Sequence, residues 1–139
     1  MPDVVIAPFH TGHYAAARAL WDTTPGVGLS DADSPEGIAT FLARNPGLSL
    51  VATDAGEVVG TILCGHDGRR GLIHHLVVAE SHRRQGVATR LLDAGRAGLR
   101  RAGIARSHLL VYATNDAGLA FWRRVGIERT EIALFSVDC

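Results

Sequence analysis

Between Leu72 and Ala102 the hydrophobic period of the chain changes from that of a strand to that of a helix, and the change falls at Gly86. LIHHLVV, Leu72 to Val78, is a short apolar run of strand type. From Gly86 onward Val87, Leu91, Gly95, Leu99 and Ala102 fall along one helical face, while Arg90, Arg96, Arg100 and Arg101 fall elsewhere. Gly103 suits the end of that helix, and SHLLVYAT, Ser107 to Thr114, reads as the next strand. A strand–helix–strand unit of this kind closes as a right-handed crossover with its two strands parallel.

The elements on either side complete an α+β order. DVVIAPF, Asp3 to Phe9, reads as a strand, and a helix with Tyr14, Ala17, Leu20 and Trp21 on its apolar positions follows. The Thr23–Gly37 segment, rich in Gly, Pro, Ser and Asp, is a long loop of the sort that often carries function. Ser34-Pro35-Glu36 opens a second helix that Asn45-Pro46-Gly47 stops. LSLVATD and EVVGTILCG form a hairpin around DAGE, and HDGRRG turns the chain into LIHHLVV. After the crossover, Asn115-Asp116 caps a helix carrying Ala117, Ala120, Phe121 and Val125 on one stripe, closed by Gly126. EIALFSV, Glu131 to Val137, reads as a last strand.

A length of 139 residues predicts one domain, 1–139, that needs no metal or disulfide to hold its core. Lysine is absent, and arginine alone balances 14 acidic side chains, so net charge is zero. Neutral balance and the lack of interleaved exposed aromatics argue against a nucleic-acid partner. Two cysteines, Cys64 in a strand and Cys139 at the last position, make no disulfide framework. Met1 to Ile6 lacks the form of a signal peptide, and no apolar run is long enough to span a membrane, so the expected location is the cytoplasm.

HRRQGVATRLL, His82 to Leu92, lies between strand and helix. The free N–H groups of a helix's first turn point outward under a partial positive charge. Gly86 permits close approach of a ligand, small Ala88 keeps the next turn open, and arginine adds charge-assisted donors at the rim. Such a loop either binds a pyrophosphate or is a solvated basic loop before an ordinary helix.

Arg83-x-x-Gly86-x-Ala88 resembles the acyl-CoA signature Q/R-x-x-G-x-G/A of the GNAT superfamily of N-acetyltransferases, and NDAGLAFWRRVGI, Asn115 to Ile127, resembles its second block. The resemblance implies a GNAT-like α+β fold layered α/β/α, with a mostly antiparallel sheet of six to seven strands and about four helices. It implies acetyl-CoA as cosubstrate. Main-chain groups of Leu76, Val77 and Val78 would pair with the pantetheine arm where the central strand and SHLLVYAT splay apart. Arg83, Arg84, Gln85, Gly86, Val87, Ala88 and Thr89 would form the pyrophosphate cradle. Asn115, Phe121 and Trp122 would line the arm, and Arg124 would reach toward the adenosine phosphates. Homodimers are common in this family.

Acetyl transfer needs a neutral amine, hence a base, and groups that polarise the thioester. His74 and His75 titrate in the right range, but as neighbours on a strand they point to opposite faces, with His75 slightly preferred. Glu36, Asp31, Asp33 and His66 are lesser alternatives. Trp122 stands where the family often has a tyrosine acid, and an indole is no proton source. Tyr112 is the substitute on offer. Trp21, Asp22, Asp31 and Asp33 either suit an acceptor amine cation, with Trp21 and Asp31 the leading pair, or are a core tryptophan and solvated turn aspartates, the plainer reading. The expected function is transfer of acetyl from acetyl-CoA to a primary amine of a small molecule, peptide or protein, without a metal. The alternative is a non-catalytic acyl-CoA-binding or regulatory module.

Overall fold

Alternation along two adjacent strands divides the core into two clusters, one on each face of a single sheet. In the computed structural model, which describes residues 3–139, the chain forms β1 (Val4–Pro8), α1 (Tyr14–Asp22), α2 (Pro35–Arg44), β2 (Leu50–Asp54), β3 (Glu57–His66), β4 (Gly71–Val78), α3 (Val87–Arg101), β5 (Ser107–Leu109) and α4 (Asp116–Val125). Short 3₁₀ turns at Thr11–His13, Asp31–Asp33 and Glu80–His82 punctuate the connections. The sheet runs β1-β2-β3-β4-β5. Neighbours are antiparallel except β4 and β5, which are parallel across the α3 crossover, as the sequence order demands.

Ala52, Ile62 and Cys64 face α3, where Val87, Leu91, Leu92 and Leu99 cover them. Their strand neighbours Val51 and Leu63 face α1 and α2, among Ala17, Trp21 and Ile38. Helix α3 lies close on β3 because Gly95 stands over Cys64: a Cβ there would come within 2.9 Å of the Cys64 sulfur. Burial pushes the Cys64 thiol up to about 12, so it behaves as a small apolar side chain. The predicted α3 stripe is buried from Val87 to Leu99, while Ala102 is exposed at the helix end.

Three expectations about the sheet fail, all after helix α3. The sheet has five strands, not six or seven. Strand pairing of SHLLVYAT ends at Leu109 rather than Thr114, because β5 leaves β4 after three paired residues and a turn closes from Asn115 N–H to the Tyr112 carbonyl. With so short an outer strand there is no ladder for EIALFSV to join. It forms no strand, and Ile132, Leu134, Phe135 and Val137 remain exposed. Helix α4 is also more exposed than its apolar stripe suggests: Ala117 and Ala120 face solvent, and the helix holds to the α3-side core through Phe121 and Trp122. Among the described residues no helix is long and apolar enough to cross a membrane.

Leu91 is fully buried where α3 meets the sheet. Leu91→Ala is expected to lower the unfolding free energy by about 3 kcal/mol in urea titration, with an unchanged m-value.

Candidate active site

The early departure of β5 opens the site. β4 and β5 are paired only at Gly71–Ser107, Leu72–His108 and Ile73–Leu109. Beyond them the strands part around a cleft of about 380 Å³. Its walls include His74, His75, Leu76 and Val77 from β4, and Leu110 and Tyr112 from the chain that leaves the sheet. Val78 lies just past the cleft wall, paired with Gly60 of β3. No strand covers the β5 side of Leu76–Val78, which leaves main-chain groups able to pair with an extended ligand.

A bulge shapes the inner end of this cleft. Thr61 pairs with Val77 and Leu63 with His74, so Ile62 alone stands opposite His75 and Leu76. His75 takes a left-handed backbone conformation, with φ of 48°. The extra residue shifts the alternation by one, and both histidines face the α1–α2 side. His74 packs edge-on against Phe41 of α2, and His75 sits 4.7 Å from the Trp21 ring of α1. This corrects the expectation that neighbouring histidines on a strand must point apart.

Buried partners hold the bulge. The Trp21 indole N–H donates to the Thr61 hydroxyl at 2.9 Å, and that hydroxyl donates to the His75 carbonyl at 2.7 Å. Trp21 is therefore a core residue beneath His75, 1% exposed, which is the plainer of the two sequence readings, and it does not face an acceptor. On the other side, His75 Nε2 meets Asp33 Oδ1 at 2.7 Å, with both side chains almost buried. Asp33 is fixed in turn. Its other carboxylate oxygen accepts from the Ser30 N–H, and its carbonyl accepts from the Tyr14 hydroxyl and the Arg18 guanidinium. In the sequence alone Asp33 is only a lesser candidate for the base. The sequence signal for its placement is Ser30-x-x-Asp33, a capping box that aims the carboxylate back over its own turn. Asp31, preferred to it for the acceptor, is exposed and does not line the cleft. Glu36 is exposed on the first turn of α2, and His66 ends β3 away from the cleft.

At the other end of β4 the basic loop wraps the start of α3. Arg84 and Gly86 are both left-handed, with φ of 60° and 78°, and curl the loop outward. Asparagine or serine side chains cap α2 and α4, but no side chain caps α3. The first N–H groups of α3 are left free to meet an anion. A Cβ on Gly86 would have nothing within 4 Å, so the space over the loop is open. Val87 is buried as the loop's anchor, Ala88 is half-buried, and Arg84, Gln85 and Thr89 are exposed. Arg83 donates to the Val78 carbonyl, which ties the loop to the end of β4. His82, bonded to Asp54 at 2.7 Å, ties it to the β2–β3 turn.

Helix α4 supplies the outer wall. Asn115 caps it by accepting from the Gly118 N–H, and Asn115 and Trp122 both line the cleft. Phe121 packs edge-on against Trp122, and the Arg124 guanidinium stacks over Phe121. Tyr112, the candidate acid, is exposed at the cleft mouth with its hydroxyl against Gly28. Among the described residues no group of three or more His, Cys, Asp or Glu side chains is arranged to hold a metal ion.

Residues 14–127 match the acetyltransferase (GNAT) family profile. An acetyltransferase of Pectobacterium atrosepticum is 33% identical over 109 residues, covering 78% of this chain and 76% of that protein. One of Photorhabdus laumondii is 34% identical over 115 residues, covering 80% and 77%. An acetyltransferase of Sodalis glossinidius is 40% identical over 75 residues, and there the match spans about half of each protein, 54% and 53%. Among solved structures, Ard1 from Thermoplasma volcanium superposes with a TM-score of 0.78 at 24% identity, covering 88% of this chain and 81% of that one. The aminoglycoside N-acetyltransferase AAC(6')-Iy in complex with CoA superposes with a TM-score of 0.77 at 19% identity, covering 99% and 96%.

Burial lowers the His74 imidazole from its ordinary value, and His75 pushes the same way against an opposing pull from Asp33. The folded protein then holds fewer protons at His74 than the unfolded chain. Stability contributed by the neutral ring is present above the ordinary histidine value, about 6.5, and is lost as pH falls through and below it. His74→Leu is expected to lose melting temperature less steeply than wild type between pH 7 and pH 5; parallel curves would count against this reading.

Proposed function

The chain belongs to the acetyltransferase (GNAT) family, and on that footing we propose that it moves the acetyl group of acetyl-CoA to a primary amine within a ternary complex. The observation that carries the proposal is the cleft itself. One strand, β4, carries the histidine–carboxylate pair and leads through the Arg83–Gly86 loop into an uncapped helix start suited to pyrophosphate. Leu76, Val77 and Val78, between the two, offer the main-chain edge along which a pantetheine arm would lie.

Main-chain N–H groups from Arg84 to Thr89 hold the pyrophosphate in this reading, with the guanidiniums of the loop at its rim. Asn115, Phe121 and Trp122 flank the arm, and Arg124 lies toward its adenosine end. The bound cosubstrate supplies an acetyl thioester, whose C–S bond gives way to a C–N bond. Asp33 accepts the Nε2–H of His75, which orients the ring and leaves Nδ1 as the basic nitrogen. His75 then takes the proton that the acceptor amine must lose, with Asp33 stabilising the imidazolium. Trp122 has no transferable proton. The departing sulfur receives its proton from water or from the one the amine gave up. Positioning the two reactants in one cleft supplies much of the remaining acceleration.

A non-catalytic acyl-CoA-binding module shares the cradle but has no use for the His75–Asp33 pair. The two readings part on turnover: free thiol released with some amine supports the transferase, and tight acetyl-CoA binding without release on any amine between pH 6 and pH 9 supports the module.

Gly86→Asp fills the open space over the loop with a carboxylate. It is expected to weaken acetyl-CoA binding at least tenfold by calorimetry while the circular dichroism spectrum is retained; undiminished affinity would misplace the cradle. Asp33→Asn is expected to lower kcat tenfold or more, with the acetyl-CoA Kd within twofold of wild type. An unchanged kcat would remove His75–Asp33 from the mechanism.

A further inference from the structure

A second cavity lies on the same face of the sheet, past the inner end of the cleft. Its volume is about 490 Å³. Arg44 enters it from the end of α2, Arg69 and Arg70 from the β3–β4 turn, and His66 and His108 from β3 and β5. The one carboxylate in its lining, Asp67, already accepts from the Arg69 and Arg70 N–H groups, which hold it below the usual carboxylate range. Among the described residues, neither the Arg44 nor the Arg70 guanidinium has a carboxylate partner within 4.0 Å. Two guanidiniums without a carboxylate partner, Arg44 and Arg70, thus line a concave space; Arg70 also donates to the Arg69 carbonyl, and the third guanidinium, Arg69, stands 3.9 Å from Asp67.

The cavity and the cleft adjoin on the α1–α2 side of the sheet. Phe41 lines the cavity and packs at 5.9 Å on His74, which lines the cleft. The two spaces on either side of that contact differ in sign. Near His75 stands the Asp33 carboxylate, and beyond Phe41 stand the arginines. From His75 back to Leu72 is three strand residues, about 10 Å.

We infer that the acceptor is an amine bearing an anionic group, a carboxylate or a phosphate, about 10 Å from the reacting nitrogen. The amine lies at His75, and its distal anion lies among Arg44, Arg69 and Arg70. An arginine fork suits either oxyanion, and a concave wall concentrates its field. The inference rests on the transferase reading above and names the substrate class that the cleft and the cavity together select.

An extended tripeptide spans this distance from its amine to its terminal carboxylate. The test compares trialanine as free acid with its C-terminal amide, a pair that differs in the distal charge. The free acid is expected to show at least a tenfold higher kcat/KM, carried by KM, and the ratio is expected to collapse to within twofold in Arg44→Ala/Arg70→Ala. Both positions are exposed, so the variant should keep the wild-type circular dichroism spectrum and an acetyl-CoA Kd within twofold. An amide used as well as the acid, or a preference that survives the double substitution, overturns the inference. Should acetyl-CoA fail to bind at all, it is the transferase reading that falls. The cavity is then judged by titrating trialanine into the protein and following the His66 and His108 ring resonances. Shifts present in wild type and lost in Arg44→Ala/Arg70→Ala support the anion site, and their absence in wild type overturns it.

Discussion

The Thr61 hydroxyl stands where the ladder between β3 and β4 breaks, and the site is arranged around that bond. A bulge leaves a residue without its regular partner, here the His75 carbonyl. Thr61 donates to that carbonyl and accepts from Trp21, so both the His75 carbonyl and the indole N–H are paired, and among the described residues no buried side-chain polar atom lacks a partner. A left-handed histidine is a strained residue, and it persists because three buried groups fix it. The gain is directional: two consecutive histidines face one side, and the second meets Asp33.

The same break explains why the sheet can open. A strand with a bulge twists more sharply, and β5 follows β4 for three residues before leaving it. One end of β4 is thus given to the histidine pair and the other to the uncapped start of α3. Ser34 and Asn115 each accept one N–H of the first turn of α2 and α4, from Gly37 and Gly118. At α3 the cap position is glycine, which has no side chain to offer. A glycine in place of a capping side chain costs the helix start only about a few tenths of a kcal/mol, and it presents those donors to whatever anion arrives.

Much of this was legible in the residues. The change of period at Gly86 places the crossover, the parallel pair and the basic loop, and Ser34-Pro35 and Asn115-Asp116 place two helix starts. What the sequence hid was each case where a distant contact outweighed local pattern. Nothing in HisHis announces a bulge; it is read only with Thr61 and Trp21 in place. Trp21 also reads as a site aromatic on a helix face, yet the buried Thr61 hydroxyl gives its indole a partner and draws it into the core. EIALFSV has the alternation of a strand, but alternation supplies no partner, and β5 is too short to be one.

The Thr23–Gly37 loop joins the halves of the site. Asp33 fastens it to His75. Two of its glycines lie against the outer wall, where a Cβ on Gly26 would come within 2.7 Å of the Asn115 side chain and one on Gly28 would collide with the Tyr112 hydroxyl. Gly26 also requires its left-handed backbone, with φ of 88°. The segment is thus held on both sides of the cleft, through Asp33 at His75 and through Gly26 and Gly28 at the outer wall. In the proposed mechanism its two fastenings are linked: a displacement of the loop that released Asp33 would leave the His75 imidazole without its orienting carboxylate.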